Sequence, residues 1–227
     1  MKTEVAKPLN TNSLRRQVYD WLSAALTRGE LSPGDVIKPD AISAALGISR
    51  TPLRDALLQL EWEGFVTIRP RSGCVVRALT AEDIRDLYQM LGALESSVIL
   101  SEWKRIDAAV TDRMRALDAE MRAALERDDF AGYYAANVAF HGAYLDLSTN
   151  GELVRRVDVM RRRLYDFPRR AEFVKEWETA STDEHLRLVA LLEGDDPRAA
   201  ADFVRDVHWS WDVQRPFILK YYPEVAT

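Results

Sequence analysis

Cysteine is almost absent from this chain. Its 227 residues include one, Cys74, which excludes an intrachain disulfide framework and suits a reducing cytoplasm. Long apolar runs are missing as well. No stretch approaches the ~20 residues a spanning helix needs, so no membrane partner is expected. The opening MKTEVAKPLNTNSLRRQ lacks the apolar core of a signal peptide, and the expected location is cytoplasmic. Ten glycines and nine prolines are too few for a low-complexity chain, and no internal repeat is present. A basic surplus is also lacking. Lys+Arg total 31 against 36 Asp+Glu, a net of -5, and that balance taken whole disfavours a nucleic-acid binder.

Counted by segment, the charge reads differently. Residues 1–78 carry 11 Lys+Arg and 8 Asp+Glu, a net of +3, whereas residues 79–227 carry 20 and 28, a net of -8. The structural pattern changes at the same place. Residues 13–26 read as a helix with Leu14, Val18, Trp21, Leu22 and Ala25 on one face. The turn Leu31-Ser32-Pro33-Gly34-Asp35 follows, then a short helix over 40–46 stopped by Gly47. Ser49 caps a third helix that runs to Trp62, with Pro52 in its first turn. Two β-like runs, 65–68 and 74–77, flank the turn Arg69-Pro70-Arg71-Ser72-Gly73. Three helices and a β-hairpin make a winged helix-turn-helix.

From Thr80 onward no strand pattern occurs. Helices are expected over 80–105, 111–127, 129–147, 151–167, 181–193 and 197–215, broken at Asp128-Asp129, Asn150-Gly151, Pro168 and Gly194-Asp195-Asp196-Pro197. The fold class is therefore mainly α, a winged helix-turn-helix followed by an all-α bundle of six helices large enough to enclose a cavity. The expected organisation is a tail over 1–10, a DNA-binding domain over 11–79, a bundle over 80–220 and a tail over 221–227.

Arg50 and Arg54, four apart, share one face of the N-terminal half of the third helix. That end of a recognition helix enters the major groove, where the arginine fork matches guanine O6 and N7. Ser49 and Thr51 are placed to bond phosphates. Arg69 and Arg71 put two cations on the hairpin tip, and Gly73 permits close backbone approach, as suits backbone or minor-groove contact. The ordinary alternative for two arginines at this spacing is a solvated face paired with Asp55 or Glu61.

The run Leu31-Ser32-Pro33-Gly34-Asp35…Leu46-Gly47-Ile48-Ser49-Arg50-Thr51-Pro52-Leu53-Arg54-Asp55-Ala56-Leu57…Glu63-Gly64-Phe65-Val66…Arg71-Ser72-Gly73 resembles the GntR family of bacterial transcription regulators. The resemblance implies DNA contact by Ser49, Arg50, Thr51 and Arg54, and minor-groove approach at Gly73. It also implies a homodimer on a palindromic double-stranded operator, which suits a reader whose single helix spans few base pairs. Repression is the commoner mode among such regulators. Asp40 departs from the pattern, since some relatives carry arginine there, and this alters the expected half-site preference.

The three histidines, His141, His185 and His208, fall on three different expected helices, and Asn137 precedes His141 by one turn. Spacing alone does not bring them together, and a lone helical histidine is ordinarily a core or surface residue. Residues 82–215, through Leu87-Tyr88…Ala93-Leu94-Glu95, Asn137…Phe140-His141, Asn150, Glu184-His185, Gly194-Asp195 and Arg205…His208, resemble the FCD-type effector domain of the FadR subgroup. That resemblance implies a divalent metal on His141, His185 and His208, with Asn137 as oxygen donor, and a small carboxylate effector. The donor set suits zinc, with nickel or manganese tolerated.

No HExxH motif is present, so an enzyme is not expected. The effector-anchoring arginine of many relatives is replaced by Leu91. Arg161 and Arg163, which flank the apolar stripe Leu153, Val157, Met160, Leu164 and Phe167, are the substitute candidates; salt-bridged solvation is their ordinary role. Trp209, Trp211 and Tyr165 are candidate pocket walls or plain core. Cys74 reads as a small wing residue rather than a redox switch.

Overall fold

The computed structural model describes residues 11–69, 73–166 and 175–221. It divides into two compact units, with the main division between Ala78 and Leu79.

The first unit holds α1 (Thr11–Thr27), β1 (Val36–Ile37), α2 (Pro39–Leu46), α3 (Arg50–Trp62), β2 (Val66–Arg69) and β3 (Gly73–Val76). Gly47 adopts φ 64, and the Ile48 N–H returns to the Ser43 carbonyl, which ends α2 and turns the chain into α3. Leu53, Ala56, Leu57 and Leu60 of α3 bury against Val18, Tyr19, Leu22, Ala25 and Leu26 of α1. Two members of the expected α1 face are corrected: Leu14 and Trp21 are each 40% exposed. At 100° per residue the stripe centres nearer Leu22, so Tyr19 and Leu26 take their places.

The expected hairpin is part of a three-stranded antiparallel sheet in the order β1-β3-β2. Strand β1 pairs Val36 with Val75 and Ile37 with Cys74. Two residues are too short a run to show a period, which is why the pattern misses this strand. Gly73 is required inside the sheet itself: it sits at φ 92, and a Cβ there would stand 3.2 Å from the Ile37 carbonyl oxygen. Cys74 is buried; burial, then the charge of Glu61, pushes its thiol up to about 11, so the thiolate needed for redox chemistry is scarce at neutral pH.

The second unit contains α4 (Ala81–Glu102), α5 (Ala108–Glu126), α6 (Phe130–Leu145), α7 (Gly151–Asp166), α8 (Lys175–Leu192), α9 (Pro197–Phe203) and α10 (Trp211–Tyr221). Thr80 and Asp83 cap α4 reciprocally, and Asp107, Asp129 and Asp196 cap α5, α6 and α9 with their side chains. Among the described residues the bundle thus has seven helices where six were expected. The single helix expected over 197–215 is broken. Its middle widens into a π-turn over Val204–His208, with the Trp209 N–H reaching back to the Val204 carbonyl at 2.9 Å. Ser210 then starts α10, accepting the Gln214 N–H on its carbonyl at 3.0 Å. Gly92 of α4 lets this junction come close, since a Cβ there would meet Arg205 Cα and Trp209 Cβ at 3.2 Å. No described helix is long and apolar enough to cross a membrane.

Candidate metal centre and nucleic-acid interface

The centre grows out of polar residues set into apolar helix stripes. On α6, Asn137 and His141 continue the line of Tyr133, Phe140 and Tyr144, all buried. On α8, His185 lies among Thr182, Leu188 and Val189. The π-turn delivers His208 as its last residue. The three imidazoles converge, each offering a ligand atom, all within 4.8 Å of one another.

Carboxylates fix two of the rings. Nδ1 of His141 donates to Glu95 Oε2 of α4 at 2.9 Å, and the Tyr144 hydroxyl donates to the same carboxylate. Nδ1 of His208 donates to Glu184 Oε2 of α8 at 2.9 Å. Because a carboxylate only accepts, each Nδ1 carries a proton, and in a neutral ring Nε2 is then the lone pair. Those two Nε2 atoms face each other at 3.2 Å. Two lone pairs at that separation repel unless a proton or a cation lies between them. The third ring repeats the theme: Asp118 Oδ1 of α5 stands 3.9 Å from His185 Nδ1, while Arg122 holds the other Asp118 oxygen at 2.8 Å.

Several buried atoms around this point have no hydrogen-bond partner: Asn137 Oδ1, both ring nitrogens of His185, Asp118 Oδ1 and Glu95 Oε1. An unsatisfied buried polar group costs ~1–3 kcal/mol, so a cation or hydrogen-bonding ligand bound among these atoms would be stabilising. Three imidazoles backed by carboxylates, with an amide oxygen one turn from His141, fit a divalent metal.

The electrostatics agree with that role. Burial pushes His141 down to about 4, against the pull of Glu95, and pushes His185 well below its ordinary value. Burial works against the Glu95 carboxylate, but His141, Arg161 and Tyr144 outweigh it and hold the group at about 2. Both rings are therefore neutral, the metal-binding form, at pH 7. The unfolded chain takes up their protons near pH 6.5. Stability of the metal-free protein should then be complete above pH 6.5 and be lost as pH falls toward 4. Melting temperatures across pH 7.5 to 4.5 check this; a flat profile would contradict the buried, neutral assignment.

The basic candidates separate. Arg161 is 7% exposed, its Nε has no partner, and Nη1 reaches only the Val138 carbonyl at 3.5 Å. Arg163 pairs with Asp83 at 3.4 Å, and Arg162 with Asp158 at 3.4 Å. Leu91 is a fully buried core residue. Trp209 is buried, edge-on to Tyr88 at 5.2 Å, with Nε1 unpartnered. Trp211 is half-buried, and the Tyr165 side chain lies outside the described residues.

In the first unit, Ser49, Arg50, Thr51 and Arg54 are exposed together at the start of α3, and Arg69 is exposed at the end of β2. Arg71 lies outside the described residues. Glu61 accepts the Ile68 N–H at 2.6 Å, so it is engaged within its own unit. Arg50 pairs instead with Asp40 on α2, Nε to Oδ1 at 2.9 Å.

Sequence patterns flagged the histidines but not the carboxylates behind them. Glu95 and Asp118 each interrupt an apolar stripe, Leu91–Val98–Ile99 on α4 and Met114–Met121–Leu125 on α5. A charge on a buried face was the available signal.

Comparison with known proteins agrees with both units. Residues 14–76 match the family described as bacterial regulatory proteins, gntR family, and residues 86–207 match the FCD domain. The Nta operon transcriptional regulator of Aminobacter aminovorans is 32% identical over 180 residues, covering 76% of this chain and 80% of that protein. A probable D-xylose utilization operon transcriptional repressor of Paenarthrobacter nicotinovorans is 25% identical, covering 86% and 85%. A crystal structure of a putative GntR transcriptional regulator from Rhodococcus sp. RHA1 shares the fold, with a TM-score of 0.68 at 23% identity over 92% of this chain and 99% of that one. These relatives are regulators rather than enzymes. The chain belongs to the GntR family of bacterial transcription regulators, with an N-terminal DNA-binding winged helix-turn-helix and a C-terminal FCD domain.

Proposed function

We propose that this DNA-binding regulator is a cytoplasmic, homodimeric, metabolite-responsive repressor whose FCD unit holds a divalent metal and a small carboxylate effector. The observation that carries the sensing role is the cluster of unsatisfied atoms at the three histidines, with Arg161 buried beside it. His141, His185 and His208 are the proposed ligands, and Asn137 Oδ1 the oxygen donor. Three imidazoles and an amide oxygen favour zinc over harder cations, with nickel or manganese as substitutes. The bound ion would supply a positive centre for an acid's oxygen.

Arg161 is the proposed second anchor. A guanidinium has five donors, and one long bond to Val138 leaves most of them for an anion. Arg163, engaged by Asp83, is the lesser candidate. Thermal shift with a panel of small mono- and dicarboxylic acids tests the reading. Some acids should raise the melting temperature of the zinc-loaded wild type, and Arg161→Met should abolish that rise. No shift in wild type would favour the second reading, a purely structural metal.

On DNA, Arg50 and Arg54 are the proposed guanine readers, Ser49 and Thr51 the phosphate contacts, and Arg69, Arg71 and Gly73 the wing contacts. The Asp40 contact sharpens Arg50. With Nε occupied by a carboxylate, both Nη groups remain for one guanine edge, and the fork is held before DNA arrives. An exposed ion pair contributes little to stability, so the effect belongs to recognition. Asp40→Asn is expected to lose about tenfold in discrimination at one base position, at the low end of a ~1–3 kcal/mol bidentate contact. Selection from a randomised duplex library reads this out; an unchanged guanine preference would contradict it. Binding to random DNA should be weak and salt-sensitive, since the reader carries only +3 per chain.

A further inference from the structure

Glu184, which bonds His208, is itself held from a distance. Gln214 of α10 is 4% exposed, and both ends of its amide are engaged. The indole N–H of Trp177 on α8 donates to Gln214 Oε1 at 2.8 Å. Gln214 Nε2 donates to Glu184 Oε1 and Oε2 at 3.0 and 3.2 Å. Glu184 Oε2 accepts from His208 Nδ1 at 2.9 Å.

The order of these bonds is dictated at one end. An indole nitrogen only donates, so it must meet the amide oxygen. The amide NH2 is thereby turned to Glu184, whose carboxylate must then accept from His208. That fixes the proton on Nδ1 and leaves the Nε2 lone pair pointing at the other histidines. Reversing the amide would set NH2 against N–H and oxygen against carboxylate.

We infer that Gln214 and Trp177 are positioning residues for the metal centre, so that docking of the C-terminal helix α10 and occupation of the centre by a divalent cation favour each other. The inference rests on the three histidines being metal ligands. By linkage, whatever factor docked α10 adds to metal affinity, bound metal adds to α10 docking. The geometry favours such coupling, because His208 and α10 are separated only by Trp209 and Ser210. A second set of contacts holds α10 without using the Gln214 amide. Trp177 stacks on Phe217 with ring centroids 6.1 Å apart and planes 1° from parallel, and Lys220 pairs with Glu176 at 2.8 Å. Losing the amide therefore leaves α10 a way to fold.

The test uses the full chain, stripped of metal and titrated with Zn²⁺ against a chromophoric chelator, and separately with Co²⁺ for its visible spectrum. Hydrogen exchange of residues 211–221 is followed with and without Zn²⁺. Gln214→Leu should weaken Zn²⁺ binding about 10–100-fold, the range for loss of an outer-shell partner. It should also shift the Co²⁺ bands and remove the Zn²⁺-induced protection of α10. Trp177→Phe keeps a ring for the stack but loses the N–H, and should weaken Zn²⁺ several-fold; it serves if Gln214→Leu fails to fold. Wild-type affinity, spectrum and protection in both variants would overturn the inference while leaving the ligand assignment intact. Failure of wild type to take up Zn²⁺ or Co²⁺ would overturn both.

Discussion

Replacing Arg50 or Arg54 with alanine is expected to cut discrimination between operator and random DNA by at least about 30-fold while leaving the fold unchanged. Both side chains are exposed on α3, outside the Leu53–Ala56–Leu57–Leu60 core, so the melting temperature should move little. A bidentate arginine–guanine contact is worth ~1–3 kcal/mol, and a two-fold dimer makes it twice. Each variant should therefore lose ~2–6 kcal/mol of specific binding, roughly 30-fold to 10⁴-fold. Affinity for a scrambled duplex should fall only modestly and uniformly, because that binding is phosphate-driven. Fluorescence anisotropy with a duplex selected by the wild type, against its scrambled counterpart, measures the ratio. Undiminished discrimination in either variant would remove that arginine from the reading face.

Stripping the metal centre should have the second large effect. A ligand bound at 100 times its Kd stabilises by about 2.7 kcal/mol. For a chain of this length that corresponds to roughly 5–11 °C in melting temperature, lost on chelation and regained with Zn²⁺. His208→Gln, at the edge of the cluster, keeps much of the ring's volume and should lose metal with little further damage. His185→Ala, in a fully buried site, should lose metal and also leave a cavity costing a few kcal/mol. If the metal serves sensing, His208→Gln should still bind operator DNA but stop responding to carboxylic acids. If the metal is purely structural, the variant should lose DNA binding with its fold, and acids should not affect wild type.

Much of the architecture was legible from local chemistry. Gly47, Thr80-Asp83, Asp129 and Asp196-Pro197 mark their helix ends in the sequence because capping is a contact between near neighbours. The break at His208 was not legible. The apolar pattern runs unbroken through Ala200, Ala201, Phe203 and Val204, and a π-turn adds one residue without any proline or glycine to announce it. The feature that accommodates it lies across the bundle at Gly92, where the junction approaches too closely for a Cβ without a shift. Strand β1 was hidden for a similar reason, being two residues defined by a partner strand far along the chain.

The site divides in the same way. Asn137 and His141 are one turn apart, so their common direction follows from helix geometry. Convergence of His185 and His208 on them depends on packing among α6, α8 and the π-turn. Of the candidate cations, position within the helix left Arg161 and Arg163 equivalent. Only the fold distinguishes a buried, under-bonded Arg161 from an Arg163 already paired with Asp83. Whole-chain charge was the least informative quantity, since -5 is the sum of a +3 DNA-binding segment and a -8 C-terminal segment.

The account depends most on a metal lying among His141, His185 and His208. Diffraction from crystals of protein purified without chelators, with data collected on both sides of the zinc absorption edge, tests it directly. The expected result is one anomalous peak per protomer, ligated by the three imidazoles and by Asn137 Oδ1, with Glu95, Glu184 and Asp118 on the rear nitrogens. Histidines bonded only to water or to each other, in crystals grown with excess Zn²⁺, would contradict it.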